Sequence, residues 1–193
     1  MCIRDRDLFA APGGKTSLLA DLMQNTGEII AVDKYESRLK ILEKNISRLS
    51  ITNVKTIEVD ALEYNDVDKF DKILLDVPCS GLGTISKKPD IKWRRDIAGI
   101  RKLTELQPKL LEKGASLLKP GGELVFSTCT IEPEENFEII EEFLKKHHEV
   151  KLVNASNYFD KKLVADNGCV QTYPNVHGID GAFAAKLKLI EEN

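Results

Sequence analysis

The chain reads as an α/β domain built on a largely parallel, seven-stranded sheet flanked by helices. Three observations lead there. Short apolar runs alternate with stretches whose apolar residues recur every three or four positions, the pattern of strands alternating with amphipathic helices. Four of those runs end in an acid or a thiol: Asp33, Asp60, Asp76 with Cys79, and Cys129. A two-glycine turn, Gly13-Gly14, separates the first run from the first helix.

In chain order, Asp7-Leu8 is the end of a strand, and nothing before Leu8 is strand-like, although a glycine turn of this kind needs a strand ahead of it. Met1 to Arg6 therefore reads as a non-native start on a fragment cut just inside an incomplete first strand, with residues 7–193 as the domain proper. From Thr16 to Met23, Leu18, Leu19, Leu22 and Met23 stand at helical spacing, and Asn25-Thr26-Gly27 stops the helix. Ile29 to Val32 is the second strand and runs into Asp33. Leu39, Leu42, Ile46 and Leu49 mark an amphipathic helix over 36–49. Val54 to Val59 is a strand ending at Asp60, and Phe70 to Leu75 a buried parallel strand ending in Asp76-Val77-Pro78-Cys79. After the Gly81-Leu82-Gly83 loop a long helix spans about 96–118, with a bend expected near Pro108. Lys119-Pro120-Gly121-Gly122 turns into a fifth strand, Glu123 to Ser127, followed by Thr128-Cys129-Thr130. Pro133 to Lys146 is a helix with proline suited to its first turn. Val150 to Val153 is a sixth strand, 154–181 an irregular excursion, and Ala182 to Leu189 the closing strand.

At 193 residues and 42% hydrophobic the chain suits one domain with its own core. A net charge of −3 gives no global basic field. The charge is uneven, however. Ser86 to Lys102 carries seven cations against two anions, so the window is +5 and the remainder −8. Such a strip is either a solvated helix start or a face that holds a polyanion. Trp93, inside it, either stacks on a base or anchors the loop. The four cysteines (Cys2, Cys79, Cys129, Cys169) form no C-x-x-C pair, which argues against zinc and against a disulfide framework. No apolar run approaches the ~18–20 residues of a bilayer span, and the start lacks a signal-peptide core. A reduced, cytoplasmic setting is expected, with no membrane partner, no metal and a monomeric state.

In open α/β sheets ligands sit outside the carboxyl ends of the strands, so the strand-end acids and thiols converge on one crevice beside the glycine turn. Singly, such an Asp is a cap or turn residue and such a Cys a small buried side chain; jointly they point to a site. The segment from Phe9 to Thr16 is not a P-loop, because Phe9 stands where that loop needs its first glycine, and it has no G-x-G-x-x-G fingerprint. A pocket for S-adenosylmethionine (SAM) remains, alongside the alternative of a plain structural turn. Two thiols at such a crevice suit methylation of carbon 5 of a pyrimidine. That carbon becomes nucleophilic only after a thiolate adds to carbon 6, and the methylated adduct must then lose a proton and expel the thiol. An amino-group methyltransferase would end its fourth strand in Asn/Asp-Pro-Pro-aromatic, which Asp76-Val77-Pro78-Cys79 does not match. A catalytically silent RNA-binding module of the same fold stays open as an alternative.

The chain resembles the SAM-dependent RNA (cytosine-5)-methyltransferases of the bacterial RsmB/RsmF type. The resemblance rests on Phe9 to Thr16, Asp33, Asp60, Asp76 to Gly81, Ser127 to Thr130, Glu132 to Asn136, His177-Gly178 and Asp180 to Phe183, in the family's order over nearly the whole chain. Lys88-Pro89-Asp90-Ile91-Lys92-Trp93 is most similar to the RsmB branch, which methylates 16S ribosomal RNA. The resemblance implies a Rossmann-like SAM-dependent methyltransferase fold and an RNA substrate. It implies that Phe9, Ala10, Ala11, Pro12, Gly13, Gly14 and Lys15 line the SAM pocket, that Asp33 holds the ribose hydroxyls and that Asp60 meets the adenine amine. Asp76 would lie near both cofactor and cytosine, Cys129 would be the nucleophile and Cys79 would assist breakdown of the adduct. DNA cytosine-5 enzymes use the Pro-Cys of the fourth strand as nucleophile, so the division of labour between the thiols comes from the resemblance and not from spacing. Two departures stand out: Phe9 replaces a frequent Cys, and the sequence reads as a fragment without the helical RNA-binding part that RsmB-type proteins carry upstream. Cys2 and Cys169 are read as incidental, and His177 is left without a role.

Overall fold

The computed structural model describes residues 4–191; Met1 to Ile3 of the expected non-native start, Cys2 among them, lie outside those residues. The elements are β1 (Arg4–Asp7), α1 (Gly14–Leu22), β2 (Glu28–Asp33), α2 (Glu36–Arg48), β3 (Val54–Glu58), β4 (Phe70–Asp76), α3 (Ile91–Arg94), α4 (Ile97–Ser116), β5 (Leu118–Thr128), α5 (Phe137–Lys146), β6 (Val150–Val153), β7 (Val170–Thr172), α6 (Pro174–His177) and β8 (Ala182–Leu189). The strands form one sheet in the order β3-β2-β1-β4-β5-β8-β6. The first five are parallel; β8 runs antiparallel to β5, and β6 and β7 pair successively along its far edge.

The sheet thus has eight strands where seven were expected. The additional one, β7, lies in the stretch read as irregular. Three residues are too few to show an alternation, and only pairing with β8 identifies it. Strand β5 is longer than its apolar run: Leu118 pairs with Phe70 and the Lys119–Gly122 turn is absorbed as an irregularity of register. The helix expected over 133–146 breaks at Asn136 (φ −120°, ψ −112°) into a single turn and α5. Pro108 does not end α4, a 20-residue helix capped by the Asp96 carboxylate, which accepts from the Gly99 N–H at 2.7 Å.

The first strand departs most from expectation. It starts at Arg4 and stops at Asp7, so it lies in the residues judged not to be strand-like, and it sits between β2 and β4 at the centre of the sheet. Central parallel strands are ordinarily apolar throughout, as β2 (Glu28-Ile-Ile-Ala-Val-Asp33) nearly is. Here Arg6 is fully buried, its guanidinium 3.2 Å from the Tyr64 ring centroid and 5.2 Å from that of Phe70, with no hydrogen bond to any of its three nitrogens. Burial lowers its pKa to about 10 and raises that of Asp5 to about 6. Main-chain pairing with both neighbours carries this strand; its side chains oppose burial.

The main core lies between the sheet and α4 and α5, with Leu75, Leu124, Phe126, Leu111 and Ile140 essentially inaccessible. Phe126 meets Phe183 edge to face at 6.4 Å. A smaller cluster of Ala10, Ala31, Leu39 and Leu42 seats α2 on the other face. Two packed faces on a parallel sheet leave the carboxyl ends of β1 to β5 at one rim, where the strand-end acids and thiols gather.

Candidate active site

The glycine turn is shaped by contact as well as by backbone conformation. Gly13 adopts φ 105°, in the left-handed region that disfavours side chains, and a Cβ there would run into Leu42 of α2. Thr16 is fully buried and donates to the Asp7 carboxylate at 2.7 Å, while the Phe9 N–H donates to the same group at 3.3 Å. Burial, opposed by these two bonds, raises Asp7 to about 6.

Beside the turn lies a cavity of about 290 Å³, lined by Leu8, Phe9, Asp33, Tyr35, Asp60, Leu110 and neighbouring residues. Phe9, Asp33 and Asp60 are therefore brought together. Asp33 is 2% exposed. One of its carboxylate oxygens accepts from the Tyr35 N–H at 3.1 Å; the other makes no hydrogen bond, although Arg38 Nη1 stands 3.2 Å away. A buried carboxylate at a pocket wall, with one oxygen that takes no hydrogen bond, suits a diol donor such as ribose, so these residues fit an adenosyl group. Asp60 accepts from the Leu62 N–H at 3.0 Å and pairs with Lys34 at 2.9 Å, which holds its carboxyl below the ordinary range. Ala10 and Ala11 are buried in the turn, whereas Pro12 and Gly14 face outward. None of Ala10 to Lys15 lines this cavity. A larger, open groove of about 420 Å³ between α4 and α5 is lined by Glu112, Glu134, Glu138 and Glu142 and holds none of the strand-end groups.

Lys15, at the start of α1, forms an ion pair with Asp76, and the other Asp76 oxygen accepts from Ser127 Oγ at 2.8 Å. This link joins the glycine turn to the ends of β4 and β5. There the Cys79 and Cys129 sulfurs are 3.2 Å apart. Cys129 is exposed and Cys79 half-buried. The two share a proton unequally. With the Cys79 thiol as donor, Cys129 is lowered to about 7; burial and Asp76 oppose this, and Lys15 and Lys88 assist it. Cys79 is pushed up, first by holding that bond, then by burial and by the charge of Cys129. Two main-chain N–H groups, of Cys129 (3.3 Å) and Gly81, nevertheless point at the Cys79 sulfur.

A network under the Cys79 turn escaped the sequence reading. Glu135, fully buried, accepts from the Ser80 N–H at 2.8 Å and from Gln107 Nε2 at 3.0 Å. Gln107, also fully buried, further donates to the Pro78 carbonyl at 2.9 Å. Arg95 donates from Nε to the Ser80 carbonyl at 2.7 Å and from Nη2 to that of Cys79 at 3.3 Å. Ser80 and Thr130 hydroxyls meet at 2.7 Å, tying the two thiol turns together, and Asn136 binds Thr128 and Thr130 from below. Gln107 left one trace in the sequence: a polar residue inside the apolar stripe of α4. Arg38 and Lys34, which hold Asp33 and Asp60, were likewise unmarked.

Cys169 is fully buried in apolar surroundings that raise it to about 12, apart from the thiol pair. His177 accepts from the Tyr173 N–H at 2.9 Å and its Nε2 lies 2.9 Å from the Lys162 carbonyl, closing a loop; it does not line the cavity.

A mostly parallel sheet whose rim carries a glycine turn, an acid-lined cavity and a reactive side-chain pair defines a SAM-dependent methyltransferase domain. Within that class the chain belongs to the family described as 16S rRNA methyltransferase RsmB/F, whose model matches residues 5–188. It is 39% identical to the ribosomal RNA small subunit methyltransferase B of Photorhabdus laumondii, over 94% of this chain and 41% of that protein. It is 38% identical to the tRNA (cytosine(72)-C(5))-methyltransferase of Pyrococcus horikoshii, over 96% and 47%. The crystal structure of NSun6 from Pyrococcus horikoshii with SFG superposes with a TM-score of 0.86 at 37% identity, covering 97% of this chain and 48% of that one. The chain spans less than half the length of the curated relatives it matches.

Proposed function

We propose that the chain is the catalytic domain of an enzyme that methylates carbon 5 of a cytosine in RNA, with 16S ribosomal RNA as the substrate indicated by its bacterial relatives. The observation that carries this reading is the pair of sulfurs 3.2 Å apart beside Asp76, one exposed and one held back. Oxygen and nitrogen methylation have no use for such a pair; carbon-5 methylation uses both members.

SAM, when bound, supplies an electrophilic methyl group. Phe9, Asp33 and Asp60 would hold its adenosyl part, with Asp33 accepting from the ribose, and the turn from Ala10 through Pro12, Gly13 and Gly14 to Lys15 would close beside it. Cys129, lowered to about 7 and open to solvent, is the thiolate that adds to carbon 6 of the cytosine. Asp76, held by Lys15 and Ser127, would orient the base as its ring gains electrons. Cys79 keeps its proton while Cys129 is anionic. Once the Cys129 sulfur is bonded to carbon, the negative charge that held that proton in place is gone. The two N–H groups aimed at Cys79 then favour its thiolate, and the thiol proton leaves to solvent. Cys79 is thereby timed to take the carbon-5 proton after methylation, as the carbon 6–sulfur bond breaks and its electron pair returns to Cys129. All these groups lie on one chain, so a single copy suffices for the chemistry, and the reduced thiols suit a cytoplasmic setting. Among the described residues no helix is long and apolar enough to cross a membrane.

The test is methyl transfer from labelled SAM to ribosomal RNA from cells lacking the modification, with nucleoside mass spectrometry of the product. 5-Methylcytidine supports the reading. Methylation on an exocyclic amine overturns it, and binding of SAM and RNA without transfer supports a silent module instead.

A further inference from the structure

Trp93 is the only tryptophan of the chain, and it is 81% exposed. It does not anchor its loop by packing; the loop is held by its neighbours. Two residues before it, Ile91 packs against Gly81: the Ile91 Cδ1 and the Cys129 sulfur lie 3.4 and 4.0 Å from the point where a Gly81 Cβ would stand. Two residues after it, Arg95 holds the carbonyls of Ser80 and Cys79. The segment is thus pinned at both ends to the turn bearing the thiols, and the indole, two residues from each pin on a single helical turn, falls on the opposite, solvent-facing side.

The surroundings of the ring are cationic. Lys92 Nζ lies 5.0 Å from its centroid, and Lys88 is close enough to Cys129 to favour its thiolate. Lys87 and Arg94 are occupied by Asp180 and Asp90, whereas Lys88 and Lys92 have no carboxylate partner among the described residues. A protein partner covering the indole would have to desolvate these ammonium groups. A nucleic acid would neutralise them with phosphates and offer the indole a base face. A cytosine drawn out to reach Cys129 leaves its neighbours without a stacking partner.

We propose that Trp93 is a stacking platform for an unpaired nucleotide next to the target cytosine, with Lys88 and Lys92 on the adjoining phosphates. This rests on the RNA-methyltransferase reading and adds to it a residue that grips the substrate outside the reacting ring.

Because the indole is unique, its fluorescence reports this contact directly. The probe is a short RNA hairpin with a single cytosine in its loop, compared with the same hairpin made abasic on either side of that cytosine. The intact hairpin is expected to quench Trp93 and the abasic one is not. Trp93→Ala should weaken binding roughly 5- to 100-fold, the range of one base–aromatic stack. Trp93→Phe should recover most of the loss. The dependence of log Kd on log salt should be unchanged in Trp93→Ala and shallower, by roughly one to two, in a Lys88→Ala/Lys92→Ala double variant. Emission unmoved at saturating RNA, Phe as poor as Ala, or emission that shifts with protein concentration and not with RNA would overturn the platform. Quenching without methyl transfer would leave the platform standing and overturn the enzyme reading; methyl transfer without quenching would do the reverse.

Discussion

The turns after β4 and β5 carry the same functional group and treat it in opposite ways. Cys79 sits in a turn whose carbonyls and N–H groups are taken by Arg95, Gln107 and Glu135, and its thiol is a donor with a raised pKa. Cys129 follows it in space by 3.2 Å, yet it is exposed and its pKa is lowered to about 7. Identical side chains become a proton-transfer group and a nucleophile because one sulfur is the more buried and donates to the other, which faces solvent. Two carboxylates set apart by environment obey the same logic.

The comparison breaks most severely at the nucleophile. Cys129→Ala should cut turnover by more than about a thousandfold, with no covalent protein–RNA species on denaturing gels. Cys79→Ala should cost about 10²- to 10⁴-fold in turnover, the range of one acid/base group, while a covalent adduct accumulates. If adduct persisted in Cys129→Ala and vanished in Cys79→Ala, the two roles would have to be exchanged.

Smaller effects come from the clamp and from a buried charge that lacks one. Glu135→Gln puts an amide where two donors converge. It should destabilise the fold by about 1–3 kcal/mol and lengthen adduct lifetime roughly tenfold with SAM affinity unchanged; a purely structural glutamate would lower SAM binding and both chemical steps together. Arg6 is the opposite case, a buried cation with aromatic faces and no hydrogen-bond partner. Arg6→Met keeps the length and removes the charge, and should raise Tm by roughly 3–8 °C. A fall in Tm would mean that the Tyr64 and Phe70 faces outweigh the burial cost.

These two charges also mark the limit of what the sequence discloses. Asp33, Asp60, Asp76, Cys79 and Cys129 could be assigned to one rim because strand ends are local features and the parallel fold gathers them. The partners that tune them lie far along the chain: Glu135 is 55 residues from Ser80, and Gln107 29 residues from Pro78. No local period encodes such pairs. Strand β1 was missed for a different reason. Arg4-Asp5-Arg6-Asp7 has none of the apolar character that signals a central strand, and it is held by the backbone register of β2 and β4.

The finest test of the two turns is their shared proton. For Cys129 the reactive form is the deprotonated one, so a lowered pKa moves activity toward lower pH. Adduct formation in single turnovers should rise through about pH 7 and level off above it, falling about tenfold from plateau by pH 6. Removing the donor reverses the largest cause of the shift. In Cys79→Ala the midpoint of adduct formation should therefore move up toward the ordinary thiol value of about 8.5. The variant would form adduct slowly at neutral pH and at nearly the plateau rate near pH 9.5. Were the midpoint to stay at 7 without Cys79, Lys15 and Lys88 would have to set it, and the contrast between the turns would rest on exposure alone.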